Sequence, residues 1–276
     1  MLALAPMRTL PAAYASMREI RCHSWSELDA ALYEESWDPT LKRHRSRFAF
    51  RGMKDTSFEL GFGLSRMGPE ATQLEEPMLR TFRRYARRLA TVDDDSVWSW
   101  LSVAQHHGLP TRLLDWTFSP YVALHFATED GSCFEKDGVV WAVDYVGARK
   151  QLPARLSQIL DEDGANVFTT EMLARGAPTL KDLDSLGDEF VVFLEPPSLD
   201  DRIVSQYALF SLTPHKTKMT GWMERHPELV RKIVIPAELK WEVRDRLDQA
   251  NVTERTLYPG LDGLSRWLAR YYTPRR

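Results

Sequence analysis

The order of strand-like and helix-like segments limits the fold of this chain more than anything else in its sequence. Four short apolar runs, GVVWAVDY (138–145), EFVVFLE (189–195), QYALFSLT (206–213) and VRKIVIP (230–236), have the length and the β-branched or aromatic content of buried strands. A fifth, RFAFRG (47–52), alternates apolar and polar residues and stops at Gly52, which reads as a strand closed by a turn. Helical spacing runs from Ser24, over 75–89 and 95–107, from Ser119-Pro120, and over about 237–250 and 260–272. These helices do not alternate one for one with the strands, as a doubly wound sheet would require. The pattern predicts a single α+β domain with one or two long insertions.

At 276 residues, 43% of them hydrophobic, the chain can bury one substantial core. Its net charge of −3 gives no global drive toward nucleic acid or an anionic membrane. Cys22 and Cys133 stand far apart without CxxC company and read as two free thiols of a reducing compartment. Residues 1–17 read as a loose leader that lacks a basic n-region, and no run of eighteen apolar residues occurs. The expectation is a cytoplasmic protein with no membrane partner.

The densest stretch of chemistry is AQHHGLPTRLLDWTFSPYVALHFA (104–127). Gly108 and Pro110 are stop signals for the preceding helix. Ser119 and Pro120 are the N-cap and first residue of the next. Between them lie Gln105, His106, His107, Arg112, Asp115 and Trp116, more polar groups than a structural corner needs, since each must find a partner if buried. Taken singly, each also has a dull explanation: histidines favour a helix C-terminus, and Arg112 and Asp115 could pair with each other. Taken together, they predict a site.

Several chemistries fit poorly. His106 and His107 are helix neighbours about 100° apart and do not chelate one ion, and no HExxH or Cys/His spacing occurs, so no metal is expected. GFGLSRMG (61–68) matches neither GxGxxG nor a P-loop. There is no GxSxG elbow. The arginines of LRTFRRYARRLA (79–90) read first as a solvated face offset by acids such as Asp93-Asp94-Asp95, and second as a track for a phosphate backbone.

Three pieces together resemble the FRG domain family: FAFRG with Phe50-Arg51-Gly52, the long segment 104–127, and RIVSQYALF with Arg202, Gln206 and Phe210. The tail TLYPGLDGLSRWL (256–268) resembles the family's usual ending, so that 18–276 reads as one FRG-type domain. The order of the pieces is also similar to the core of ADP-ribosyltransferases of the R-S-E type. That resemblance implies a split, antiparallel-rich sheet flanked by helices, with NAD as substrate. Arg51 would hold phosphate or ribose oxygens through its planar fork. Gly52 would let the backbone approach the carboxamide, and Ser119 would take the serine position. Trp116, Tyr121 or Tyr207 would wall the ring, with Arg112 and Gln105 nearby.

One departure matters. The third position is Gln206 where those enzymes carry a glutamate, which keeps a hydrogen bond to the ribose and loses a charge. One charge about 4 Å from a developing cation, at an effective dielectric near 20, is worth roughly 4 kcal/mol or about three decades of rate. Asp115, Glu195, or a histidine of the 106–107 pair would have to supply it. The resemblance thus implies transfer of ADP-ribose to a macromolecular acceptor, a protein or RNA/DNA. The setting would be a toxin or antiviral defence effector, with an inhibitory partner such as an antitoxin. A non-catalytic NAD- or nucleotide-binding module, and a nuclease or hydrolase using His106, His107 and Asp115, are the alternatives.

Overall fold

The computed structural model describes residues 17–68, 70–89, 92, 94–198 and 200–275, with Thr72 described by its backbone alone. The expected leader therefore lies, except for Met17, outside the described residues. Among the described residues the strands are β1 (Arg18–Arg21), β2 (Trp37–Asp38), β3 (Arg43–His44), β4 (Phe48–Met53), β5 (Leu114–Thr117), β6 (Gly138–Asp144), β7 (Val192–Leu194), β8 (Ala208–Leu212) and β9 (Val230–Ile235). β2 and β3 form a separate two-residue ladder. The other seven make one mixed sheet in the order β1-β9-β6-β4-β5-β8-β7. β1 runs parallel to β9 and every other neighbour is antiparallel.

The sheet's weak line is between β4 and β5. β4 matches β6 from Phe48 to Met53 and β5 matches β8 along its whole length, but β4 and β5 pair only where Phe50 faces Thr117. The expected split sheet is thus one hydrogen-bonded sheet with two halves joined at a single residue pair.

Helices cover both faces. In chain order they are α1 (Trp25–Tyr33), α2 (Ala71–Ala86), α3 (Val97–His106), α4 (Pro120–Thr128), α5 (Tyr145–Ala148), α6 (Ala154–Glu162), α7 (Thr170–Gly176), α8 (Leu180–Ser185), α9 (Asp201–Ser205), α10 (Met219–Arg225), α11 (Lys240–Gln249), α12 (Glu254–Leu257) and α13 (Leu261–Tyr271). Ser119 caps α4 as the sequence predicts, and Ser24 and Ser96 cap α1 and α3, each of the three accepting a backbone N–H of the first turn. Gly108 ends α3 at φ +83°, a conformation that suits glycine.

One face of the sheet carries two separate cores. Trp98, Leu101, Leu156, Phe168 and Leu173 pack on Val192 and Phe210 of β7 and β8. Leu28, Ala123 and Val243 pack on Phe50, Val140 and Ile233 of β4, β6 and β9. The long insertion between β6 and β7 supplies α6–α8 and so builds much of the first core. The opposite face holds a third core, with Ala49, Trp116, Val143, Phe193, Leu209 and Trp222. The two-core face is divided along the β4–β5 line. Cys22 and Cys133 are free and buried, and no helix among the described residues is long and apolar enough to cross a membrane.

Candidate functional site

Where β4 and β5 part, a cleft of about 890 Å³ opens, a volume within the range of small-molecule sites. The local sequence explains the parting. At Gly52 a Cβ would stand 1.8 Å from the Ala123 carbonyl oxygen, so β4 is drawn against the backbone of α4. Two residues past the shared pair, the Asp115 carbonyl has no β4 partner. Arg51 Nη1 donates to it at 2.6 Å instead. A guanidinium therefore fills the gap that a strand ladder would otherwise close.

Arg51 is only partly compensated there. Its side chain is 22% exposed, and the nearest carboxylate oxygen, Asp115 Oδ2, lies 3.7 Å away. Its Nε is buried with no hydrogen-bond partner. Burial presses the pKa down, the Asp115 charge pulls it back up, and the charge of Arg66 presses it down again. A buried donor without an acceptor costs about 1–3 kcal/mol, more when charged, and a ligand oxygen would recover it.

Other predicted residues gather around this guanidinium. Gln105 Nε2 donates to both Asp115 carboxylate oxygens at 3.1 Å, and Thr111 Oγ1 donates to Gln105 Oε1 at 2.7 Å, which fixes the amide. His106 Nε2 lies 2.6 Å from Asp200 Oδ2 across the rim. Burial alone would raise the Asp200 carboxyl; the Ile203 N–H and His106 outweigh it and hold it below its usual range. Gln206 enters from the other half of the sheet. Its carbonyl accepts from Thr117 Oγ1 at 2.8 Å, and its side-chain Nε2 donates to the Leu257 carbonyl at 3.0 Å. Tyr207 follows in a left-handed conformation, φ +47°, uncommon for a bulky residue. That turn joins α9 to β8 with Gln206 on the cleft wall.

Five predicted residues, in addition to Tyr207, stand outside the cleft. Arg112 is buried away from the cleft, bridging Glu75 and Asp184 at 2.7 Å each, and does not pair with Asp115. Tyr121 donates to Asp29 and packs against Trp25 and Tyr33. Trp116 lines the cleft, but it belongs to the opposite core, where it meets Phe193 and donates to Ser211 Oγ at 2.8 Å. His107 is exposed at the α3 end, edge-on to His106, so the structure does not bring His106, His107 and Asp115 together as a triad. Ser119 caps α4 and does not line the cleft, although Thr117, which bonds its N–H, does. Gly52 lines the cleft, and its missing side chain is accounted for by α4. Glu195, named as a candidate acid, follows β7 and lies outside the cleft. Of the basic helix, Arg83 and Arg87 both bond Asp95, as the solvated reading expects.

Sequence reasoning missed Lys54, Arg66, Thr117 and Glu129 on the cleft walls. Glu129 had a legible signal, since it falls one helical turn after His125 and just past the dense segment. Thr117 lies inside the dense segment itself, and Lys54 and Arg66 carry no local pattern.

Residues 46–136 match the model of the FRG domain family. The matched span holds Phe50-Arg51-Gly52, all of 104–127 and Glu129, and the chain thus carries an FRG domain; Arg202 and Gln206 lie beyond it. No curated protein and no solved structure matches the chain.

Proposed function

We propose that the cleft binds NAD and that the chain is an ADP-ribosyltransferase acting on a macromolecular acceptor, a protein or a nucleic acid. The observation that carries this reading is the guanidinium of Arg51, held at the opening between two strands with a buried, unpartnered Nε and too little negative charge around it. Such a group favours an anionic oxygen, and a bidentate fork suits a pyrophosphate. Arg66 adds positive charge to the same wall. The fixed amide of Gln105 and the amide of Gln206 offer neutral polar contacts suited to ribose hydroxyls and a carboxamide.

NAD would supply the chemistry of a good leaving group, because nicotinamide departs neutral from a cationic pyridinium. The chain's part is to hold the pyrophosphate on Arg51, keep the ribose against Gln206, and place negative charge where positive charge develops. Gln206 favours a second reading, an NAD-binding module without transfer, because its amide carries no charge and its Nε2 is committed to Leu257.

Titration calorimetry with NAD separates this reading from unrelated functions. Wild type is expected to bind NAD and Arg51→Ala to lose at least tenfold in affinity, with Arg51→Lys intermediate because a point charge replaces a fork. Equal affinity in wild type and Arg51→Ala, both folded, would contradict it.

A further inference from the structure

A second cleft of about 800 Å³ lies beside the first, and Lys54 and Glu129 line both. Lys54 is tied to Asp130. Glu129 is the acid at the junction, with its side chain 35% exposed. The other two acids of the first cleft are less suited to chemistry. Asp115, 58% exposed, is occupied by Gln105 and lies in the field of Arg51. Glu59 is an exposed loop residue.

Glu129 is held from behind by groups that orient it without cancelling its charge. The Tyr258 hydroxyl donates to Glu129 Oε2 at 3.2 Å. Burial and the Glu129 charge raise the Tyr258 pKa, so the phenol keeps its proton and remains the donor. His125 is fully buried, with Nε2 3.5 Å from the same oxygen. Its Nδ1 lies 3.0 Å from Arg244 Nη1. Arginine can only donate, so Nδ1 is the acceptor and the ring hydrogen sits on Nε2, near the carboxylate but without a hydrogen bond to it. Burial and the Arg244 charge both disfavour a second proton on that ring, so it stays neutral. Arg244 is held in turn near Asp248 and Glu254, both bonded by Arg270. Four elements, α4, α11, α12 and α13, and the Tyr258 cap thus converge on one acid that reaches two clefts.

We infer that Glu129 is the catalytic carboxylate of this site, standing in for the charge that Gln206 lacks, with Tyr258 and His125 as its positioning residues. The inference rests on the NAD reading above. As the bond between ribose C1′ and the nicotinamide nitrogen breaks, its electron pair leaves with nicotinamide and positive charge grows at C1′. The acceptor's lone pair forms the new bond to C1′, and the acceptor's proton passes to Glu129 and then to water. The second cleft gives the attacking group access to the same carboxylate.

The test compares wild type with Glu129→Gln, Glu129→Asp and Tyr258→Phe, measuring NAD affinity by calorimetry, thermal unfolding, and nicotinamide release with its kcat and KM. Glu129→Gln, isosteric and part-exposed, is expected to keep its melting temperature and an NAD Kd within about threefold of wild type. Its release rate should fall by about a hundredfold to a thousandfold. Glu129→Asp should recover part of that rate, and Tyr258→Phe should lower kcat while leaving KM nearly unchanged. Release by Glu129→Gln within tenfold of an active wild type would overturn the assignment while leaving the NAD reading intact. A loss of NAD affinity in folded Glu129→Gln would overturn it as well, making Glu129 a binding group. A wild type that binds NAD and releases no nicotinamide removes both the transferase reading and this role.

Discussion

Gly52 and Arg51 are neighbours with opposite duties. The glycine lets β4 lie against α4, and the arginine fills the gap that this leaves beside β5. A methyl at Gly52 would meet backbone atoms of Ala123 and Ala127, neither of which can rotate away. Gly52→Ala is therefore expected to destabilise the fold by about 3 kcal/mol, the upper end of overpacking costs, or to prevent folding. Thermal unfolding checks this, and a melting temperature within about 2 °C of wild type would show that α4 yields more easily than its packing implies. Because Gly52 carries a structural duty, loss of ligand binding in that variant would not identify it as a ligand contact. Arg51 is the residue whose substitution reports on binding.

At the scale of elements, α4 best separates what the sequence reveals from what it hides. Its start at Ser119-Pro120 is plain from capping chemistry alone, as is the Gly108 stop. Strand β5 was not legible: Leu114-Asp115-Trp116-Thr117 has only four residues, an aspartate among them, and owes its strand state to pairing with β8. The predicted strand from Gln206 loses its first two residues to the α9 turn, because Tyr207 adopts a left-handed conformation that no propensity foretells. The site was legible in part for the same reason. Arg51, Gln105, His106 and Asp115 belong to two recognisable motifs, whereas Lys54 just follows β4 and Arg66 sits in a short 3-10 turn, and only the tertiary fold brings both to the cleft wall. Ser119 tests the division of roles. Ser119→Ala removes a cap, and is expected to cost about 1 kcal/mol, or roughly 2–4 °C, in thermal unfolding while NAD affinity stays within threefold. A tenfold loss of affinity without loss of stability would instead place the hydroxyl in the binding site.

At the scale of the whole molecule, the sheet is two halves meeting at the Phe50–Thr117 pair, each with its own core on one face and a shared core on the other. The cleft takes Arg51, Lys54 and Glu129 from the half built on β4 and α4. It takes Asp115, Arg202 and Gln206 from the half built on β5 and β8. An irregular order of strands and helices announced an α+β domain, and the long insertion after β6 became the helical layer of one half. We propose the seam between the halves as a site of NAD cleavage and ADP-ribose transfer. Incubation of the purified protein with adenine-labelled NAD and cell lysate, following free nicotinamide and the fate of the label, tests it most directly. The expected result is nicotinamide release together with label on a protein or nucleic-acid fraction, both lost in Arg51→Ala. NAD recovered intact after prolonged incubation with folded wild-type protein and lysate would contradict it.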